Sequence, residues 1–181
     1  MGGGAERLVP VRHWQVAGAI IPAPSESGHR GVLLVENLRR NGTRDWTPPG
    51  GVIDLADGET IIEGLAREVL EETGIVVPEW VGPLYRVTTE APDMGWVMSV
   101  EVHLGLRCTD PISVGADPDG IVVGAEYLHE DVCIARVAEG HPWVRDPLCD
   151  WLGERWQDET REYRYVVRGN HPGSSRVERL A

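Results

Sequence analysis

The sequence predicts an α/β fold in which a mixed β-sheet is flanked by helices. Segments of strand length that are rich in Val, Ile and Leu dominate the chain, and turn residues separate them. Only two segments have helical periodicity. A chain of 181 residues is sufficient for one domain with its own core, and two full domains would leave too little core for each.

The first third of the chain is predicted to form two strands, a hairpin and a loop. Residues 14–22 and 30–38 have the composition of strands. The Asn41-Gly42 pair, a strong turn signal, predicts a hairpin that returns through Trp46. Residues 48–58 hold prolines and glycines close together and are predicted to form a loop.

The best-defined helix is predicted to begin after Thr60. Thr60 and Glu63 have the spacing of a capping box, in which each side chain bonds to the backbone N–H of the other residue. Arg67 lies four residues after Glu63, in the order that favours an ion pair. The apolar residues of this helix recur at helical spacing, and Gly74 ends it; they are Ile61, Ile62, Leu65 and Val69.

The rest of the chain is predicted to return to strands and to add a second helix. Strands are expected at residues 75–90, 95–108 and 161–168, a loop at 111–121, a strand leading into a helix at 125–132, and a helix at 141–156. The domain boundaries follow from this division. Residues 1–10 are expected to be a flexible tail, residues 11–168 one domain, and residues 169–181 a loose C-terminal tail.

Charge and composition exclude some classes of protein. A net charge of −12 argues against a protein that grips nucleic-acid polymers through a basic face. No segment approaches the roughly 18 apolar residues of a membrane span, and the N-terminus lacks the pattern of a signal peptide. The cysteines, Cys108, Cys133 and Cys149, form no CxxC pair. We therefore expect a cytoplasmic protein with neither a membrane nor a nucleic acid as its partner.

Three carboxylates stand where a helix least favours them. Glu68, Glu71 and Glu72 occupy the last turns before Gly74, at the negative end of the helix dipole. Like charges three or four residues apart cost about 0.2–0.5 kcal/mol for each pair. A solvated acidic face is the simpler interpretation. A divalent cation would turn these repulsions into ligand contacts, because Mg²⁺ and Ca²⁺ take carboxylate oxygens, so the pattern favours a metal site.

Residues 51–75 read G-x7-E-x7-R-E-V-L-E-E-T-G-I, which resembles the Nudix box, G-x5-E-x7-R-E-U-x-E-E-x-G-U, where U is aliphatic. The matching positions are Glu59, Arg67, Glu68, Val69, Glu71, Glu72, Gly74 and Ile75. One departure is a loop that is two residues longer between Gly51 and Glu59. Such a loop either bulges outward or shifts both residues away from their usual places.

The resemblance implies a Nudix-type α/β/α sandwich that hydrolyses a nucleoside diphosphate linked to another group, using Mg²⁺ or Mn²⁺. By the same resemblance, Glu68 and Glu72 would be the principal metal ligands, with the backbone of Gly51 close to the ion. Glu71 would be a third ligand or the group that takes the proton of the attacking water. Arg67 would orient Glu59 through a two-bond contact, which suits a guanidinium group. The implied partner is a small-molecule nucleotide, with a homodimer as one option for assembly.

Candidates outside this segment have ordinary structural explanations as well. Trp46 could stack on a base, although a core tryptophan is an equal interpretation. Arg44, with its neighbours Arg39 and Arg40, could hold phosphates, although exposed arginines on a hairpin are common. The candidates for a further acid from a later loop are Asp117, Asp119 and Glu126.

Two questions stay open at this level. The alternative function is a Nudix-fold module that binds a nucleotide or senses a ligand without turnover, but such proteins typically lose the charged residues that this chain keeps. The substrate is also open. Pro92 lies 17 residues beyond Ile75, close to the proline that marks many ADP-ribose hydrolases. Nucleoside triphosphates, dinucleoside polyphosphates and nucleotide sugars fit the same box.

Overall fold

The structure is a computed structural model that describes residues 10–24, 30–108, 110–115, 117–171 and 174–181. The strands are β1 (Arg12–Ile20), β2 (Gly31–Leu38), β3 (Arg44–Thr47), β4 (Gly50–Val52), β5 (Glu79–Ala91), β6 (Trp96–Leu106), β7 (Val122–His129), β8 (Arg161–Arg168) and β9 (Arg176–Leu180). The α-helices are α1 (Ile61–Thr73), α2 (Glu130–Val137) and α3 (Pro142–Glu154). Within the described ranges, no helix is both long and apolar enough to cross a membrane.

Two sheets organise these elements. The larger sheet has six strands in the order β4-β1-β6-β5-β8-β9, and the smaller has three in the order β3-β2-β7. The β1–β6 and β5–β8 pairs are parallel, whereas the other pairs are antiparallel. Parallel neighbours need long crossover connections, and α1 and α3 lie in those connections. The predicted mixed sheet flanked by helices is therefore confirmed.

Alternation along the strands places one part of the core on each face of the larger sheet. In β1, Ala17 and Ala19 belong to a buried cluster that includes Leu65 of α1. Ile20 belongs to a second cluster, with Leu148 of α3. Because successive side chains of a strand point to opposite faces, α1 and α3 cover opposite faces of the sheet. The result is an α/β/α sandwich.

Helix α1 begins and ends as the sequence predicts. Both hydrogen bonds of the Thr60–Glu63 capping box are present, and Gly74 ends the helix in the left-handed conformation with φ 73°. The predicted ion pair between Glu63 and Arg67 is wrong. Glu63 is used by the cap, and Arg67 bonds to other carboxylates.

Other local predictions are corrected by pairing between distant segments. Residues 48–58 are not simply a loop, because they contain β4, which pairs antiparallel with β1, and a short 3-10 helix, Leu55–Asp57. The C-terminal residues were predicted to be loose, but they form β9, which pairs antiparallel with β8. Residues 1–9 of the predicted N-terminal tail lie outside the described residues. Strand pairing of this kind depends on a partner far away in the sequence, which local composition does not reveal.

Candidate functional site

A cleft of about 920 Å³ opens between β4, α1 and the loops at the end of β2 and before β7. Its lining is strongly charged. Among the described residues that line it, the acids are Asp54, Glu68, Glu72, Asp117 and Asp119, and the arginines are Arg39 and Arg67. An excess of carboxylates over guanidinium groups makes this cleft attractive to cations.

Arg67 is the centre of a network of carboxylates. Its Nε and Nη2 donate to the two oxygens of Glu59 at 2.9 and 3.2 Å. Its Nη1 donates to Glu68 at 2.8 Å and to Glu71 at 3.2 Å. The hydrogen bond from Arg67 is the main reason that the pKa of Glu59 is lowered. Arg67 therefore holds three acids of the box in fixed positions.

The longer loop keeps Glu59 within hydrogen-bond distance of Arg67. Part of the loop forms the 3-10 helix Leu55–Asp57, which ends at Gly58 and leaves Leu55 exposed. After this turn, Glu59 also accepts a hydrogen bond of 3.1 Å from the backbone N–H of Asp54. The loop turns outward at the exposed Leu55, while Glu59 stays bonded to Arg67.

Gly51 packs directly against the carboxylate of Glu68. A Cβ at position 51 would lie 2.6 Å from Cδ of Glu68, which is closer than real carbon atoms approach. A side chain at position 51 would therefore displace the carboxylate of Glu68, and it is this space rather than a special φ angle that favours glycine. Burial is the largest influence on the Glu68 carboxyl and raises its pKa, while the bond from Arg67 opposes that rise.

Glu72 is the most deeply placed acid of the cleft, with 9% of its surface exposed. Its Oε2 accepts a hydrogen bond of 2.8 Å from the backbone N–H of Gly50. The pKa of Glu72 is raised to about 8, mainly by burial and also by the charges of Glu68 and Asp117, while the hydrogen bond from Gly50 opposes the rise. A carboxylate that is buried beside other acids is unfavourable without a counter-charge.

The described acids of the cleft are suitable ligands for a divalent metal, although their side chains do not yet converge on one point. Within the described part of the chain, no three His, Cys, Asp or Glu side chains converge as a ready-made metal cluster. Glu68 and Glu71 are instead bonded to Arg67. Glu68 and Glu72 both line the cleft and supply the hard oxygen donors that Mg²⁺ prefers.

Of the acids predicted outside the box, two reach the cleft. Asp117 uses its carboxylate to bind three backbone N–H groups of its own loop, at 2.8–2.9 Å. Asp119 is exposed on the cleft wall, and its charge adds to the burial that raises the pKa of Glu68. Glu126 is exposed on β7 and is not among the residues that line the cleft.

The structure places Trp46 and Arg44 away from the cleft. Trp46 is partly buried against the core, and the guanidinium group of Arg136 lies 4.9 Å from the centre of its ring. Arg44 is paired with Glu36 at 3.0 Å. Neither residue belongs to the described lining of the cleft, whereas Arg39 from the same hairpin does.

Sequence reasoning missed a second, apolar pocket of about 280 Å³. This pocket shares Arg39, Thr47 and Gly50 with the charged cleft, so the two spaces adjoin. The ring of Trp143 is stacked on His141, with ring centres 4.1 Å apart. The apolar residues that line this pocket are Val16, Ala17, Pro48, Tyr85, Val87, Met98, Val100, Val102, Trp143 and Val144. The strand residues in this lining resemble ordinary core residues in sequence, so no local signal marks them as a pocket.

One known protein family matches most of this chain. The family model described as the NUDIX domain matches residues 13–152. The chain belongs to the Nudix family. That match includes the whole box and both pockets described above, because their lining residues fall between positions 13 and 144. None of the curated proteins compared with this Nudix chain matches it.

Solved structures with the same fold include several Nudix proteins. A NUDIX hydrolase from Nitrosomonas europaea has 22% identity and a TM-score of 0.61, covering 81% of this chain and 91% of its own. The MutT protein from Methanosarcina mazei Go1 has 19% identity and a TM-score of 0.61, with coverages of 81% and 97%. The NUDIX domain of Shewanella oneidensis NrtR, complexed with ADP ribose, has 16% identity and a TM-score of 0.62, with coverages of 83% and 92%. At these identities the likeness is one of fold.

Proposed function

We propose that this Nudix protein is a metal-dependent hydrolase that cleaves the diphosphate bond of a nucleoside diphosphate linked to another group. The observation that carries the proposal is the intact arrangement around α1. Arg67 donates two hydrogen bonds to Glu59, and Gly51 packs against the carboxylate of Glu68. Both contacts are present in spite of the longer loop between Gly51 and Glu59. Non-catalytic Nudix-fold modules typically lose the charged residues of the box, whereas this chain keeps Glu59, Arg67, Glu68, Glu71 and Glu72.

Glu68 and Glu72 are the residues proposed to hold Mg²⁺ or Mn²⁺. A bound divalent ion neutralises the charge of the diphosphate oxygens and makes water a better nucleophile. Gly51 leaves space beside Glu68, and the N–H of Gly50 fixes one oxygen of Glu72. Arg67 holds Glu59 and Glu68 in place, so its role is to position the acids rather than to contact the reacting atoms.

Two acids are candidates for accepting the proton of the attacking water. Glu71 is held by Arg67 at 3.2 Å, and Asp119 is exposed on the cleft wall. Asp117 is a poorer candidate, because its oxygens already accept three backbone hydrogen bonds. A general base must have a lone pair free to face the water, which favours Asp119 on the cleft wall; Glu71 is the candidate from the Nudix box, although it is not among the described residues that line the cleft.

The apolar pocket is proposed to receive the nucleobase. It adjoins the charged cleft at Arg39, Thr47 and Gly50, so a base in the pocket would leave the phosphates beside Glu72. Trp143, backed by His141, offers an aromatic surface for a flat ring. Ligand sites of this kind are mostly apolar with a few convergent polar groups.

The proposal is tested by measuring nucleotide-product release with and without millimolar Mg²⁺ or Mn²⁺. The substrates are ADP-ribose, 8-oxo-dGTP, a diadenosine polyphosphate and a nucleotide sugar. Glu72→Gln is run in parallel, with Glu63→Gln as the matched control, because Glu63 serves the helix cap outside the cleft. We expect metal-dependent turnover of at least one substrate, retained by the control and lost in Glu72→Gln.

Two other results would lead to a different conclusion. Full activity of Glu72→Gln would mean that the metal is held elsewhere. Nucleotide binding without turnover by the wild-type protein would instead favour the non-catalytic binding or sensing module.

A further inference from the structure

Arg39 lies at the junction between the charged cleft and the apolar pocket and lines both. Within the described lining of the cleft there is one other arginine, Arg67. Arg67 is already bonded to Glu59, Glu68 and Glu71. Of these two arginines of the cleft, Arg39 is therefore the one that makes no ion pair with an acid of the Nudix box.

Asp45 holds Arg39 from one side. Nε and Nη2 of Arg39 donate to the two oxygens of Asp45 at 2.7 and 2.8 Å. This two-bond contact uses one edge of the guanidinium group, and the described contacts give no partner to Nη1 on the other edge. A guanidinium group has five N–H donors in a rigid fork, so fixing one edge also fixes the direction of the other.

Asp45 is itself held in place. The buried side chain of Asn37 donates to Oδ1 of Asp45 at 3.0 Å and to Oγ1 of Thr47, also at 3.0 Å. The backbone of Arg39 closes the hairpin, because its N–H donates to Thr43 and its carbonyl oxygen accepts from Gly42, both at 2.8 Å. The position of Arg39 is thus set by its own backbone and by a chain of side-chain contacts.

We propose that Asp45 is a positioning residue that aims Arg39 at the phosphate group attached to the nucleoside. This inference rests on the proposed function, since it takes the base to lie in the apolar pocket and the diphosphate in the charged cleft. A phosphate that joins the two must pass their shared boundary, where Arg39 lies. The same Arg39–Asp45 contact could instead be an ordinary surface ion pair, which contributes little to stability and nothing to binding. Ligand binding separates the two interpretations.

The experiment measures the affinity of AMP by calorimetry in EDTA, and kcat and KM for the substrate found by the panel. AMP contains the base and the phosphate attached to the nucleoside, but it lacks the second phosphate and the linked group of the proposed substrates. The variants are Arg39→Gln, Arg39→Lys, Asp45→Asn and the double variant Arg39→Gln/Asp45→Asn. The matched control is Arg40→Gln, which makes the same charge change on the same hairpin at an exposed residue outside the described cleft lining.

We expect Arg39→Gln to weaken AMP binding and raise KM by about tenfold or more, because a charge-assisted bond to phosphate is lost. Asp45→Asn should change both quantities in the same direction by about threefold or more, with kcat little altered. Arg39→Lys should recover only part of the loss, because one ammonium group does not reproduce the two edges of the fork. The double variant should be no worse than Arg39→Gln if Asp45 acts through Arg39.

The proposal is overturned if Asp45→Asn lowers the melting temperature but leaves AMP affinity and KM unchanged. It is also overturned if Arg40→Gln matches Arg39→Gln, since the effect would then be one of net charge. The proposal is overturned as well if AMP does not bind to the wild-type protein. If there is no turnover but AMP binding depends on both Arg39 and Asp45, the result contradicts the hydrolase proposal and supports the positioning role.

Discussion

Glu59, at the end of a loop that is two residues longer than in the usual Nudix box, accepts hydrogen bonds of 2.9 and 3.2 Å from Arg67. The contact joins the loop to the middle of α1. Upstream of Glu59, the loop forms a 3-10 turn that ends at Gly58. The charged group at the end of this longer loop is therefore still bonded to α1.

Arg67→Lys is expected to lower kcat by about 10- to 100-fold, because a lysine cannot hold Glu59, Glu68 and Glu71 together. Steady-state kinetics at saturating Mg²⁺ measures this effect. Arg86→Lys is the matched control, since Arg86 also bridges two acids, Glu101 and Glu162, but does so outside the described cleft lining. If Arg67→Lys and Arg86→Lys lose activity equally, the role proposed for Arg67 in positioning the acids is wrong.

Gly51→Ala is expected to reduce activity at least about tenfold with a small effect on folding. A methyl group at this position would push the carboxylate of Glu68, whose flexible end can move but would then leave its place in the cleft. Gly153→Ala in α3 is the control, because a Cβ there meets open space. The control should retain activity and gain about 0.5–1 kcal/mol of stability. Normal activity of Gly51→Ala would show that this contact is not needed.

Glu72 is expected to make the metal-free protein less stable as the pH rises. Its pKa is about 8 in the folded protein, compared with the ordinary glutamate value of 4.5, which we take for the unfolded chain. The folded state therefore binds the proton more tightly. The associated stability is complete below pH 4.5 and is lost as the pH rises through about 8.

Urea unfolding in EDTA between pH 5 and pH 9 measures this loss. The free energy of unfolding of the wild type should fall relative to that of Glu72→Gln by on the order of 1–5 kcal/mol across the range. Because glutamine does not titrate, parallel curves for the two proteins would show that Glu72 titrates normally.

Trp143→Ala is expected to weaken AMP as a competitive inhibitor by about fivefold or more, because an aromatic surface for the base is lost. Inorganic pyrophosphate has no base and serves as the matched ligand, whose inhibition should change little. If inhibition by both ligands falls equally, the substitution has disturbed the cleft rather than the base site.

Local sequence patterns predicted much of the fold, because each relevant signal acts within a few residues. The capping box at Thr60, the turn at Asn41-Gly42 and the end of α1 at Gly74 are all present. β4 and β9 were missed because a short strand is stabilised mainly by its partner. The Glu63–Arg67 pair predicted from helical spacing is absent, since spacing alone does not reveal a competing carboxylate from the preceding loop; the contact of Arg67 with Glu59, which the resemblance to the Nudix box implied, is present.

The sequence by itself determined the charged segment of α1, its caps and its family, because those features depend on spacing along one helix. Only the tertiary structure decided that the longer loop leaves Glu59 in contact with Arg67 and that Gly51 lies against Glu68. It also decided that Arg39, rather than Arg44, reaches the cleft, and that Trp143 helps to line an apolar pocket beside it. These relationships join residues that are distant in sequence, and packing between elements sets them, so no local pattern could contain them.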